Sequence, residues 1–247
     1  MIKLISKRNF AKKVSVIPEN RYIYLTPDDH KSSLIFLHGL GDTAMGFYDL
    51  FLDPKNRFKL VPPTCRVVLP TAPIAPVSLN DGYEMNSWFN IFQVRGELNQ
   101  ISDLYDKYDQ KSMLKSVDVV TELIDQEVEI LGGKSENVYI GGFSQGCALS
   151  LATFLKYPKK LGAVIGLSGM LALDIKKEEI DLELKKQTPI FLYHGERDNM
   201  IDVESAKMSY GLLDKYGLKY SLTTEKGLEH SISLDEIEKL SKFINNL

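Results

Sequence analysis

Short runs in which every position is apolar alternate along this chain with longer stretches in which apolar residues return every three or four positions. LIFL (Leu34–Leu37), VIGL (Val164–Leu167) and IFLY (Ile190–Tyr193) show no polar alternation, as expected of central parallel strands covered on both faces. Strands are expected at 12–17, 22–25, 33–37, 66–69, 138–141, 163–167, 190–193 and 219–223, each β-rich and bounded by turn residues. Between them lie helical patterns. The clearest runs from Ser112 to Leu131, where Val117, Val120, Ile124, Val128 and Leu131 fall on one face. Others run from Gln145 to Tyr157 before Pro158, from Val203 to Tyr216 before Gly217, and from Leu234 to the C-terminus. Strands alternating with helices in this order predict an α/β fold, a mostly parallel central sheet covered by helices on both faces.

One segment breaks the rhythm. Residues 70–96, rich in Pro, Asn and aromatics, hold the only tryptophan, Trp88. A loop this long inside a compact domain is usually functional, and its aromatics argue against disorder. It is expected to form a wall or lid over a site, with Val77, Leu79, Met85 and Trp88 available to shelter an apolar substrate. The plainer alternative is a surface loop held down by Trp88 alone.

Composition narrows the function classes. The 247 residues carry a net charge of -3, so no basic field exists to attract a phosphate backbone, and a nucleic-acid partner is not expected. Cys65 and Cys147 are too few for a disulfide framework and have no metal-ligand spacing. They suit a reducing compartment, and neither a metal nor an organic cofactor is expected. No apolar run approaches the roughly 20 residues of a membrane span. Residues 1–13, MIKLISKRNFAKK, are basic and acid-poor. They read either as a transit peptide or as a solvated lead-in. The expected organisation is therefore a basic lead-in with the first strand at 1–30, then one α/β domain at 31–247. The expected compartment is the cytoplasm, with mitochondria as the alternative.

Chemistry concentrates at Gly142-Phe143-Ser144-Gln145-Gly146. This G-x-S-x-G pentapeptide follows a strand and opens a helix, the context in which a serine is held on a sharp turn above a sheet edge as a nucleophile. A serine hydroxyl needs a base, normally a histidine oriented by a carboxylate. Of the four histidines, only His194 and His230 follow Ser144 in the chain order serine, acid, histidine. His194 leaves few suitable acids before it, which favours His230. Glu196, Asp198 and Asp202 follow the strand at 190–193. Glu196 is expected to point into the turn and Asp202 to cap the next helix, leaving Asp198. A tetrahedral intermediate also needs two backbone N–H donors. These are expected from Gln145 and from Leu40 of the His38-Gly39-Leu40-Gly41-Asp42 turn.

The stretches LIFLHGLGDTA, LPTAPIAPVSLNDGYEMNSWFNI, ELIDQEVE, VYIGGFSQGCALSLATFLKYP, GLSGML, FLYHGERDNMI and GLEHSI resemble the acyl-protein thioesterases, in the phospholipase/carboxylesterase branch of the α/β hydrolases. The similarity runs from about Ser33 to the end. It implies the α/β-hydrolase fold, Ser144, Asp198 and His230 as triad, and the Leu40 and Gln145 amides as oxyanion hole. It also implies S-acylated proteins, lysophospholipids or small esters as substrates, transient contact with a membrane surface, and a monomer or weak dimer. Cys147 departs from the family's usual second glycine after GFSQG and is expected to tighten packing beneath the elbow. The rival function class is a catalytically idle hydrolase fold serving as a lipid-binding or structural subunit.

Overall fold

Every residue of Ser32–Leu37 is buried, and the strand shows how the chain divides its apolar surface. Ile35 and Leu37 join one core while Leu34 and Phe36 join a second on the opposite face, because successive strand side chains point to opposite sides of a sheet. The structure, a computed structural model, describes residues 3–4, 12–17, 21–52, 59–94 and 100–247.

The strands are β1 (Lys3–Leu4), β2 (Lys12–Ile17), β3 (Tyr22–Pro27), β4 (Ser32–Leu37), β5 (Cys65–Leu69), β6 (Ile74–Val77), β7 (Tyr83–Asn86), β8 (Val138–Phe143), β9 (Ala163–Leu167), β10 (Ile190–Gly195) and β11 (Ser221–Glu225). The helices are α1 (Tyr48–Phe51), α2 (Ile101–Tyr105), α3 (Gln110–Ile130), α4 (Gln145–Lys156), α5 (Leu182–Lys185), α6 (Val203–Lys215) and α7 (Leu234–Ile244). Among the described residues one nine-stranded sheet runs in the order β1-β2-β3-β5-β4-β8-β9-β10-β11. From β5 to β11 all neighbours are parallel, whereas β1, β2 and β3 add antiparallel at the edge. Residues of α3, α4 and α6 pack on one face of the sheet, and those of α1 and α7 on the other. This is the mostly parallel sheet covered on both faces that the pattern of elements predicts, and it agrees with the α/β-hydrolase fold that the resemblance implies.

The chain steps from β4 to β5 on one side and later places β8 on the other side of β4. At such a reversal the loops leaving the two central strands diverge and open a crevice at their C-terminal ends. The turn after β4 and the serine after β8 stand on the two sides of that crevice.

Two local outcomes differ from the sequence pattern. The segment 70–96 contains a hairpin, β6 with β7, joined by a turn in which Asp81 and Gly82 have φ of 53° and 78°. The last strand lies two residues later than expected, at Ser221–Glu225. The transit-peptide reading of residues 1–13 falls mostly outside the described residues.

α7 carries a buried acid. Glu236 is inaccessible to solvent, one carboxylate oxygen lies 3.3 Å from the Ser233 N–H, and the other has no partner among the described residues. Burial pushes its carboxyl up to about 8, and the nearby Glu225 charge adds to the rise. The folded state therefore holds this proton longer than the unfolded chain does, so the associated stability is complete below about pH 4 and is lost as pH rises through about 8. Each pH unit of such displacement corresponds to ~1.4 kcal/mol. Glu236→Gln keeps a residue that suits the capping box and should raise the Tm over wild type by much more at pH 9 than at pH 5. Thermal melts at the two pH values check this, and an equal difference at both would refute it.

Candidate active site

The serine of the pentapeptide occupies a conformation that few side chains adopt. Ser144 has φ 55° and ψ -117°, and its two flanking glycines make that turn possible by admitting the backbone of neighbouring elements. A Cβ on Gly142 would lie 2.4 Å from the Gly146 carbonyl carbon, and one on Gly146 would lie 2.1 Å from the Leu37 carbonyl oxygen. Side chains at these positions would push β4, β8 and α4 apart. Cys147 continues the close packing: it is fully buried, and a Cβ on Gly169 would meet its Sγ at 2.5 Å. Burial pushes the Cys147 thiol up to about 12, so it is an inert packing group here.

Ser144 directly follows β8, Asp198 lies in the turn after β10, and His230 lies in the loop after β11, so three strand ends bring the residues together. His230 Nε2 lies 2.9 Å from Ser144 Oγ, and His230 Nδ1 lies 2.7 Å from Asp198 Oδ2. The His230 ring packs against Phe143, with centroids 4.8 Å apart. Asp198 Oδ1 accepts from the Met200 and Ile201 N–H groups at 2.9 and 2.8 Å. Burial pushes the Asp198 carboxyl up, but hydrogen bonds from His194, His230 and Ile201 outweigh it and hold the group well below the usual carboxylate range. A carboxylate can only accept, so the His230 proton sits on Nδ1 and Nε2 presents its lone pair to the serine hydroxyl.

The other candidate residues have different surroundings. Asp202 caps α6 by accepting from the Ser205 N–H, and Glu196 accepts from Thr224 at the surface. His38 is buried; its Nε2 accepts from the Ala72 N–H and its Nδ1 donates to the Gly39 carbonyl at 2.7 Å. Burial holds the His38 ring below the ordinary histidine range, and the neutral form is the one these two bonds require. His30 is half-buried and bonded to Ser33 Oγ.

A largely apolar cavity of about 420 Å³ opens at the serine. Leu40, Ser144, Gln145 and His230 border it, and its walls include Leu79, Met85, Phe89, Ile91, Val94, Tyr108, Ala148 and Met170. Leu79 and Met85 thus line it as expected. Val77 and Trp88 do not: both are buried behind the wall. Trp88 acts as a brace instead. Its Nε1–H donates to the His38 carbonyl at 2.9 Å, its backbone N–H donates to the Gln145 side-chain oxygen at 3.0 Å, and its carbonyl accepts from Ser116. Gln145 also donates to Ser87 Oγ and the Phe89 carbonyl. The sequence pattern missed Tyr108 and Met170, which come from distant segments, and no local motif marks them.

Residues 19–247 match the family described as Phospholipase/Carboxylesterase. The chain belongs to this family of hydrolases. Acyl-protein thioesterase 1 homolog 1 of Dictyostelium discoideum is 34% identical to the hydrolase over 233 residues, which cover 94% of this chain and 97% of the relative. Acyl-protein thioesterase 1 of Candida albicans is 34% identical over 225 residues, covering 88% and 92% of the two chains. Among solved structures, Arabidopsis thaliana SOBER1 matches with a TM-score of 0.75 at 32% identity, over 87% of this chain and 98% of that one. Zea mays acyl-protein thioesterase 2 shares the fold with a TM-score of 0.74 at 23% identity, over 92% and 98%.

The two kinds of loop residue separate by experiment. Trp88→Phe removes the indole N–H that holds the turn after β4. It should lower kcat/KM for acyl esters by one common factor at every chain length, roughly fivefold for a lost hydrogen bond. Leu79→Ala should instead flatten the rise of kcat/KM with chain length, each sheltered CH₂ being worth ~0.8 kcal/mol. A chain-length series measured on wild type and both variants decides the assignment. A flattened slope in Trp88→Phe would return the tryptophan to the cavity.

Proposed function

We propose that the hydrolase cleaves long-chain acyl thioesters and esters through an acyl-serine intermediate, with S-acylated proteins as its main substrates and lysophospholipids as a second class. The observation that carries this reading is the continuous line from Asp198 through His230 to Ser144 at the mouth of an apolar cavity. The names of its relatives in Dictyostelium and Candida agree with the substrate class.

Ser144 attacks the acyl carbon while His230 Nε2 takes its proton, and Asp198 stabilises the imidazolium that forms. The Leu40 and Gln145 backbone N–H groups are assigned to the oxyanion, which develops between the turn after β4 and the start of α4. His230 then returns the proton to the leaving thiolate, whose conjugate thiol has a pKa of about 8.5, so thioesters need less help to leave than amides do. A water activated by the same histidine releases the acid and restores Ser144. Leu79, Phe89, Ile91 and Met170 shelter the acyl chain throughout.

The idle-subunit alternative draws no support from this arrangement, because a lipid-binding role has no use for an aligned acid, base and hydroxyl. Exposed Ile74 and Tyr83 on the hairpin beside the cavity fit transient contact with a membrane surface, where acylated proteins reside. No helix among the described residues is long and apolar enough to cross a membrane. We place the chain in the cytoplasm, with mitochondrial import resting on residues 1–13 alone.

Ser144→Ala should abolish both labelling by a fluorophosphonate probe and thioester hydrolysis while leaving the Tm nearly unchanged; retained turnover in the purified variant would contradict the mechanism. Asp198→Asn should lower kcat by on the order of 10⁴, as loss of the orienting acid does, whereas Asp202→Asn should cost no more than a helix cap, roughly 1 kcal/mol of stability. The opposite ranking would show that Asp202 is the acid. A reporter fused to residues 1–30 should stay in the cytosol, and its import into mitochondria would reverse the compartment assigned here.

A further inference from the structure

The acid of the site touches a second histidine. His194 closes β10, is fully buried, and does not line the cavity. It cannot reach substrate, so it cannot share the work of His230. Its Nε2 lies 2.8 Å from the Ile201 carbonyl and 3.3 Å from Asp198 Oδ2. A carbonyl oxygen only accepts, so Nε2 carries a proton; its N–H donates to the Ile201 carbonyl, with Asp198 Oδ2 as a second, longer contact beside it. The other ring nitrogen, Nδ1, has no hydrogen-bond partner among the described residues.

We propose that His194 is a positioning residue for the reaction: its Nε2–H bridges the Ile201 carbonyl and the Asp198 carboxylate, locking the turn that aims Asp198 Oδ2 at His230. The inference rests on the reading of Ser144, Asp198 and His230 as the reacting set.

The turn explains why such a bridge is needed. Asp198 Oδ1 is held by the Met200 and Ile201 N–H groups, both from the turn itself. Those bonds keep the carboxylate on its own loop but do not tie the loop to the sheet. Terminal torsions of aspartate are broad and nearly two-fold. A carboxylate anchored through one oxygen can still swing the other away from the imidazole. His194 stands at the end of β10, a strand paired on both sides, and reaches the far limb of the turn and the second oxygen together. It also adds a donor to the ionised carboxylate, and hydrogen bonds to the charged form favour that form. A proton drawn to His230 then stays on the imidazole.

The unpartnered Nδ1 separates this role from packing. A buried acceptor left without a donor is unfavourable, and an apolar side chain of similar size would fill the place without one. The imidazole brings a benefit only through Nε2.

Two amides divide the ring's functions. Glutamine carries its nitrogen about as far from the backbone as Nε2, whereas asparagine reaches only as far as Nδ1. Wild type, His194→Gln and His194→Asn are purified as full chains and assayed with a soluble acyl thioester, with Tm measured alongside. His194→Asn should lose roughly 10- to 100-fold in kcat at unchanged KM, the size of one lost hydrogen bond to a charged group, and His194→Gln should recover most of it. Equal losses in the two variants, or a change confined to KM, would overturn the proposal. Should His194→Asn not fold, ring-¹⁵N spectra of the wild type decide: His194 should show a protonated Nε2, and a bare Nε2 refutes the bridge. A wild type that neither hydrolyses the thioester nor reacts with a fluorophosphonate would sink the hydrolase reading and this inference with it. An active wild type with matching Gln and Asn variants sinks this inference alone.

Discussion

Everything at this site depends on one unfavourable backbone conformation. A non-glycine residue at φ 55° is strained, and Ser144 persists there because the backbones of β4, β8 and α4 meet around it with no room for other side chains at Gly142 and Gly146. The strain lifts the hydroxyl clear of the sheet and points it at His230. It also starts α4 directly at the serine, which sets the Gln145 N–H next to the nucleophile in sequence. Catalytic geometry and tight packing are therefore the same feature of the sheet.

Around that elbow the structure divides labour between groups that face the cavity and groups that hold those facing it. Gln145 illustrates the division, since its backbone N–H is the one assigned to the oxyanion while its side chain grips Ser87, Trp88 and Phe89. Trp88 in turn holds the His38 carbonyl, and His38 holds Gly39. The segment after β5 is thus fastened to both sides of the crevice. Its apolar residues form a wall whose position is set by a chain of hydrogen bonds behind it.

Much of this was legible in the sequence, and the boundary has a physical basis. Unbroken apolar runs marked the central strands because burial on both faces leaves no polar alternation. G-x-S-x-G between a strand and a helix located Ser144, and chain order with helix-cap chemistry separated Asp198 from Asp202. The hairpin of β6 and β7 was hidden because prolines and polar residues obscure its alternation, although Asp81-Gly82 carried a turn signal. Trp88 was assigned to the cavity because residue type reports apolarity but not direction. Tyr108 and Met170 reach the cavity from segments far apart in the chain, a relation that no local pattern encodes. His194 was legible only as a histidine at a strand end, since the atom it serves is fixed by the fold.

Ser144 and His230 are 86 residues apart in sequence and Asp198 and His230 are 32 apart, and each hangs from a different parallel strand. Contacts this non-local form only after long loops have closed, which makes them late and slow steps in folding. No fragment lacking β10 or β11 holds the three groups together, so a nascent chain stays silent until β11 and the loop after it have joined the sheet. Turnover in this protein is consequently a gauge of completed folding: it appears when the final third of the chain has joined the sheet, and partly folded forms cannot strip acyl groups from other molecules.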